Sequence, residues 1–301
     1  FMRSGNLNKD AVESVYRLQR TYWGNMGKNV PLFLVNGNHE QAARYLLNGS
    51  PDNFAVFAAN ARKKYFPLPE PSGIYSGDTG WVQHIGLLKD YYAFEWGDAL
   101  FVVIDPYWHS TVPVDNVPTE ERKEKNKQPW DITLGDEQYA WLKKTLETSK
   151  SKFKFVFAHH VNGTGRGGVE RAKYYEWGGY NQRNQWEFAS YRPKWELPIH
   201  QLMVKNKVTI FFQGHDHLFA HQELDGIVYQ SVPNPADDTY TAFNADSYLS
   251  GKVLPNSGFL QVKVSGENVQ VEYVRVQLTG KMNTSQENSN YTYTIGYKKG
   301  R

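Results

Sequence analysis

Three times in 301 residues, a short apolar run stops at a cluster of polar side chains able to bind a metal. Residues 30–35, Val-Pro-Leu-Phe-Leu-Val, lead into Asn36-Gly37-Asn38-His39-Glu40. Residues 152–157 lead into Ala158-His159-His160, and residues 208–212 into Gln213-Gly214-His215-Asp216-His217. Apolar runs of this length read as buried strands. In α/β folds, ligands gather beyond the carboxyl ends of strands. One such cluster means little; three of matching chemistry point to one shared site. Neutral imidazoles aimed at a single point suit a transition metal. Side chains at i and i+2 of a strand share a face, so His215 and His217 are expected to converge. Adjacent residues leave on opposite sides, so His159 and His160 are not expected to bind the same ion, and spacing does not choose between them. Gly214 lets the backbone turn and approach whatever sits there.

Around these clusters, strands alternate with helices early and dominate late, which favours an α/β fold. Residues 10–22 predict a helix, with Asp10 and Glu13 as a capping box and a stripe of Val12, Val15, Leu18 and Tyr22. A further helix is expected around Leu46 and Leu47. Residues 91–105 read as a hairpin turning at Gly97-Asp98. Residues 135–147 predict a helix with Leu142 and Leu146 inward. Later strands are expected at 226–232, on either side of Ser265–Asn268, and at 291–298. No repeat or Gly/Ser linker interrupts the chain, so 1–301 reads as one domain. Residues 161–200 form a loop-rich excursion containing Arg166, Arg171, Arg183, Arg192, Trp177, Trp186 and Trp195. The tryptophans read as a small satellite core. Arginine binds phosphate oxygens bidentately, and Arg166 lies nearest His159 in sequence. His84, His109, His200 and His221 have no partner in the pattern and read as structural or surface residues.

Charge narrows the partners. Lys and Arg number 34, Asp and Glu 31, for a net charge of +3. That balance argues against nucleic acid as the main partner. The run at 119–128 mixes signs and reads as a solvated loop or helix face. With no cysteine, disulfides and thiolate metal sites are excluded. No apolar stretch is long enough for a membrane span. Abundant Tyr, Trp, Asn and Gly, with Asn-x-Ser/Thr sequons at Asn48, Asn162, Asn283 and Asn290, favour an extracytoplasmic protein, periplasmic or secreted.

Gly37–Glu40, Phe157–His160 and Gly214–His217, with Gln138, Trp141 and Leu142 in the helix before the second, resemble motifs of the calcineurin-like metallophosphoesterases. That superfamily includes the purple acid phosphatases. The resemblance extends from about residue 8 to residue 276. It implies an αββα sandwich of two mixed β-sheets flanked by helices. It also implies two transition-metal ions (Zn, Mn or Fe) and hydrolysis of a small-molecule phosphate mono- or diester. By position it assigns Asn38, His159 and His215 to one metal and His217 to the other. It favours His159 over His160. His39 becomes the residue that contacts phosphate and protonates the leaving group, and Glu40 either orients a histidine or opens the next helix. Arg166 is the expected substrate contact.

Two motifs of that family, Asp-x-His and Gly-Asp-x-x-Asp, would precede Gly37. The first 36 residues contain no Asp-x-His, and their single aspartate, Asp10, is not preceded by Gly. The chain is therefore expected to begin just past the second motif, without the first strand or two and without the aspartate that would bridge the metals. A catalytically inactive binding or structural protein on the same fold is the alternative reading.

Overall fold

The structure is a computed structural model describing residues 8–40, 43–112, 114, 129–161, 165–278 and 290–297. The charge run at 119–128, Asn162 and Asn283 lie outside these residues.

Helix α1 (Lys9–Met26) starts at Asn8, whose side-chain oxygen accepts from the backbone N–H of Ala11 at 2.9 Å. The cap is thus Asn8, not Asp10. Glu13 is used elsewhere: it accepts from Lys64 Nζ (2.7 Å) and Tyr65 Oη (3.0 Å), at the end of α2 (Phe54–Tyr65). Val12 and Tyr16 are buried among Val56, Ala59 and Phe66, whereas Val15, Leu18 and Tyr22 are exposed. The buried face is therefore rotated from the expected stripe, because α2 sets which side is covered. Around Leu46 there is only one 3-10 turn, Arg44–Leu46.

Residues 30–35 are not a strand. Phe33 stacks on Phe94 at 4.4 Å, and Tyr92 Oη donates to the Leu34 carbonyl. An apolar run predicts cover, but a strand also needs a backbone neighbour to pair with. Next come four strands: β1 (Ser76–Gly77), β2 (Trp81–Val82), β3 (Gly86–Leu87) and β4 (Tyr92–Trp96). β1 pairs antiparallel with β4, and β2 with β3. β4 turns at Gly97, φ +58°, into β5 (Ala99–Val103), the expected hairpin.

The chain divides into two compact units, residues 1–94 with 103–142, and residues 95–102 with 143–301. Helix α3 (Gly135–Thr148) buries Leu142 and Leu146 as its periodicity requires. The second unit carries strands β6 (Phe153–Phe157), β7 (Ile210–Gln213), β8 (Phe219–Leu224), β9 (Ile227–Ser231) and β10 (Lys252–Leu254). With β5 they lie in a large mixed sheet in the order β5-β6-β7-β9-β8-β10. β6, β7 and β9 run parallel, while β8 is antiparallel to β9 and β10. A second sheet, β11 (Gly258–Val264), β12 (Asn268–Arg275) and β13 (Tyr291–Gly296), is antiparallel throughout.

Period-two alternation decides what each face of the large sheet meets. Phe153, Phe155, Ile210 and Phe212 pack with Val269 and Val271 of the second sheet. On the other face, Phe211 and Tyr229 meet Trp177 of α4 (Tyr175–Gly178), whose indole N–H donates to Tyr229 Oη at 2.9 Å. Trp177 thus belongs to the main core. Trp195 packs on Phe188 in α5 (Phe188–Tyr191), while Trp186 is half exposed against Tyr180. α6 (Ile199–Lys205) supplies buried His200, whose Nδ1 lies 2.8 Å from Tyr229 Oη.

His221 of β8 stacks on Tyr293 of β13 at 3.9 Å, with Nδ1 3.2 Å from Tyr291 Oη and Nε2 3.7 Å from Glu223. Burial lowers its imidazole pKa, against a smaller raising effect of Glu223. A folded-state pKa below the unfolded one favours folding when the ring is neutral. That stability is present above the ordinary imidazole value of about 6.5 and is lost as pH falls through the folded-state value. We predict that His221→Phe, which keeps the stacking, flattens the fall in urea midpoint between about pH 7.5 and 5. A fall as steep as in the parent would assign the acid sensitivity to other groups.

Candidate metal centre

β6 ends at Phe157 and β7 at Gln213, and the chain bends at once beyond each. There His159, His160 and His215 bring their ring nitrogens within 4.8 Å of one another. His159 Nε2 lies 3.3 Å from His215 Nδ1. Ring centroids are 3.7 Å apart for His160 and His215, and 4.8 Å for His159 and His160. His160 and His215 are buried and His159 is partly exposed. Strand alternation had separated the adjacent pair, but it lapses once the ladder stops at Phe157, so both rings reach one place. A side chain at Gly214 would press on the cluster: a Cβ there would sit 3.2 Å from His159 Nδ1. Its N–H also donates to the His159 carbonyl at 3.1 Å, joining the two strand ends.

His215 and His217 have φ of +70° and +53°. Non-glycine residues adopt this left-handed region rarely, and such strain collects at functional sites. His215 is buried with the other two rings, whereas His217 is exposed, its ring edge-on to Phe243 at 6.0 Å. Desolvation of its covered side, and then the positive charge of Arg166, lower the His217 pKa.

The residue between them carries the loop. Asp216 is buried, and its Oδ2 accepts from the Gly167 N–H (2.8 Å) and Tyr248 Oη (2.6 Å). Its Oδ1 lies 3.3 Å from Arg166 Nη1, which also donates to the His215 carbonyl at 2.9 Å. Asn244 donates to the Asp216 carbonyl. Gln213 Nε2 lies within hydrogen-bond distance of the Gly167 carbonyl (3.2 Å), Ser231 Oγ (2.9 Å) and Tyr248 Oη (3.0 Å). Arg166 therefore sits beside the histidine loop, partly exposed, with one side engaged in holding it. Asn244 and Tyr248 were missed in the sequence, and Gln213 and Asp216, read there only as members of a polar cluster, were given no part in holding the loop. The available signal was a carboxylate flanked by two candidate ligands at a strand end, a position that is costly to bury unpaired.

Asn38 and His39 belong to the first unit, Asn38 buried and His39 exposed. Their loop is tied down from both sides. Gly37 N–H donates to the Glu40 carboxylate at 2.9 Å, and Asn36 Nδ2 donates to Asp105 Oδ2 at 3.1 Å. Glu40 thus closes its own turn. Asp105 is clamped by Gln138, which accepts from its N–H and donates to its carbonyl, each at 2.8 Å. Burial raises the Asp105 carboxyl pKa, opposed by the Tyr107 N–H and then Asn36. Gln138 is thereby explained: a buried amide on α3 pairs a strand end it could not otherwise satisfy.

Residues 4–219 match the profile of the calcineurin-like phosphoesterase family. The chain belongs to that family. No curated protein matches it. Among solved structures it is similar to PhoD, at 13% identity and a TM-score of 0.49, over 87% of this chain and 52% of that one. Purple acid phosphatase PPD1 from yellow lupin (Lupinus luteus) seeds gives 17% identity and a TM-score of 0.44, over 89% of this chain and 41% of that one. GAP50, the anchor in the inner membrane complex of Plasmodium, gives 14% identity and a TM-score of 0.38, over 70% and 55%. The chain spans about half the length of these structures. Among the described residues, no helix is long and apolar enough to cross a membrane.

Tyr248→Phe removes a donor to the buried Asp216 carboxylate, with little change in volume. A destabilisation of about 1–3 kcal/mol is expected in urea unfolding, the cost of an under-bonded buried charge. A change within error would show that water or another donor replaces the hydroxyl.

Proposed function

We propose that this chain supplies much of the site of a metal-dependent hydrolase acting on small phosphate esters. The observation that carries the reading is the group formed by His159, His160 and His215 beyond the ends of parallel strands β6 and β7, in a chain of this family. The donor set fits a borderline transition ion such as Zn, Mn or Fe: it offers imidazole nitrogen from strand-anchored residues, with no lysine among the members. His159 and His215 would hold one ion, and His160 is the further nitrogen donor within reach; the family resemblance gives the Asn38 amide as a metal ligand as well. His217 would hold a second ion. When bound, a metal pair supplies charge neutralisation at the phosphoryl oxygens and a nucleophile at neutral pH.

The chain's own groups do the rest. His39, exposed at the tip of its loop, donates a proton to the leaving oxygen. Arg166 presents one edge to a phosphate oxygen while its Nη1 side holds the loop. The monoester or diester preference rests with the excursion that carries Arg166. An extracytoplasmic location goes with the composition and with the exposure of the sequon residues Asn48 and Asn290. A second reading is a fold kept for binding without turnover, on the same family profile.

The test is to titrate the full chain with Mn and Zn by calorimetry, and to assay an aryl phosphate and a bis-aryl phosphate. His159→Ala and His215→Ala should each weaken binding by at least about tenfold, the lower end of what even outer-shell losses cost. Turnover should fall with binding in the same variants. Binding without turnover would favour the second reading. Binding unaffected by either substitution would remove the histidine group from metal chemistry.

Arg166→Ala should raise KM more than it lowers kcat, because a phosphate clamp acts largely through binding. A fall confined to kcat would make Arg166 a positioning residue for the Gly214–His217 loop.

A further inference from the structure

The parallel strands have a second end. A cavity of about 900 Å³ opens where β6, β7 and β9 begin, the end opposite the histidines. Strands of five residues place the two ends roughly 16 Å apart, so this cavity is separate from the metal centre. It lies wholly within the second unit. Its volume is that of a small-molecule site.

Its walls are of two kinds. Val204, Val208, Ile227 and Ile295 are apolar, and Phe153 meets the exposed ring of Tyr297 edge-on at 5.9 Å. Four lysines line it as well: Lys150, Lys152, Lys154 and Lys207. Among the described residues of the lining Asp225 is the one carboxylate, and it already lies 2.9 Å from His200 Nε2. Lys152 is engaged by Asp98 and the Gly266 carbonyl. Lys154 donates to the Leu146 carbonyl at 2.6 Å. Lys150 and Lys207 are exposed and form no ion pair among the described residues.

Two further observations concern these lysines. Burial lowers the Lys154 pKa, and the positive charges of Lys150 and Lys207 add to that, against the opposing effect of Glu95. Lys207 has φ +56° just past the end of α6. Glycine or asparagine is the usual occupant of such a left-handed position, yet the sequence places a lysine there.

We propose that this cavity binds a small organic anion with an aromatic body. The headgroup sits between Lys150 and Lys207, and the ring lies against Tyr297 and the aliphatic wall. Opposite-sign headgroup and apolar body match the two kinds of lining, and the separation from the histidines makes the site independent of the hydrolytic reading.

The experiment is calorimetric titration of the full chain with naphthalene-1-sulfonate, with naphthalene-1-sulfonamide as the neutral counterpart. Single-site saturable binding of the sulfonate is expected. The variant Lys150→Gln/Lys207→Asn should weaken it by roughly tenfold or more, as loss of charge-assisted contacts does. Asn keeps the left-handed backbone at 207, and unchanged circular dichroism and melting midpoint establish that the fold is intact. Tyr297→Ala gives a second reading through the aromatic wall and should weaken binding without altering charge. Binding should persist in His159→Ala. Absent binding, equal affinity for the sulfonamide, indifference to the lysine substitutions, or loss in His159→Ala would each overturn the proposal.

Discussion

The loop that carries the site depends on one buried carboxylate. Asp216 sits between two histidines in left-handed conformations, a turn that ordinary backbone preferences oppose. An unpaired buried carboxylate would be strongly unfavourable. Here the same group collects the Gly167 N–H, the Tyr248 hydroxyl and Arg166, and so converts that penalty into a constraint on shape. The excursion, the Gly214–His217 turn and the segment around Tyr248 are held through it. Gln213 links the same partners from the end of β7.

Beneath that loop, side-chain alternation on the parallel strands separates two chemistries. One face is phenylalanine packed on the second sheet, and the other carries Phe211 and Tyr229 against Trp177. With both faces dry, polar groups concentrate at the strand ends, where the ladder releases the backbone. Histidines gather at the carboxyl end. At the amino end the lysines do so, because β6 begins in alternating Lys and Phe and α6 delivers Lys207 beside it. The two ends differ in what they can attract: neutral nitrogen donors suit a cation, and clustered ammonium groups suit an anion.

Much of this was legible in the residues. Gly37–Glu40, Phe157–His160 and Gly214–His217 carry a family resemblance that the family profile bears out. Apolar runs ending in histidine located β6 and β7, and the Leu142 and Leu146 spacing located α3. These signals survive because they are local: a strand's alternation and a helix's period belong to the segment itself.

What required the tertiary structure was every choice that depends on a neighbour. Residues 30–35 have a strand's composition but no strand, since pairing is supplied from outside the segment. α1 buries Val12 and Tyr16 instead of its whole apolar stripe, because α2 covers only one side. His159 and His160 join one cluster although alternation separates them. There the strand has already ended, and hydrogen bonds from distant residues set the chain's course. The sequence alone determined which side chains could do chemistry at each strand end. Their directions were decided by partners remote in sequence, Gln138 for the Asn36 loop and Tyr248, Gly167 and Arg166 for the Asp216 loop, because a buried polar group takes whichever partner the fold brings within reach.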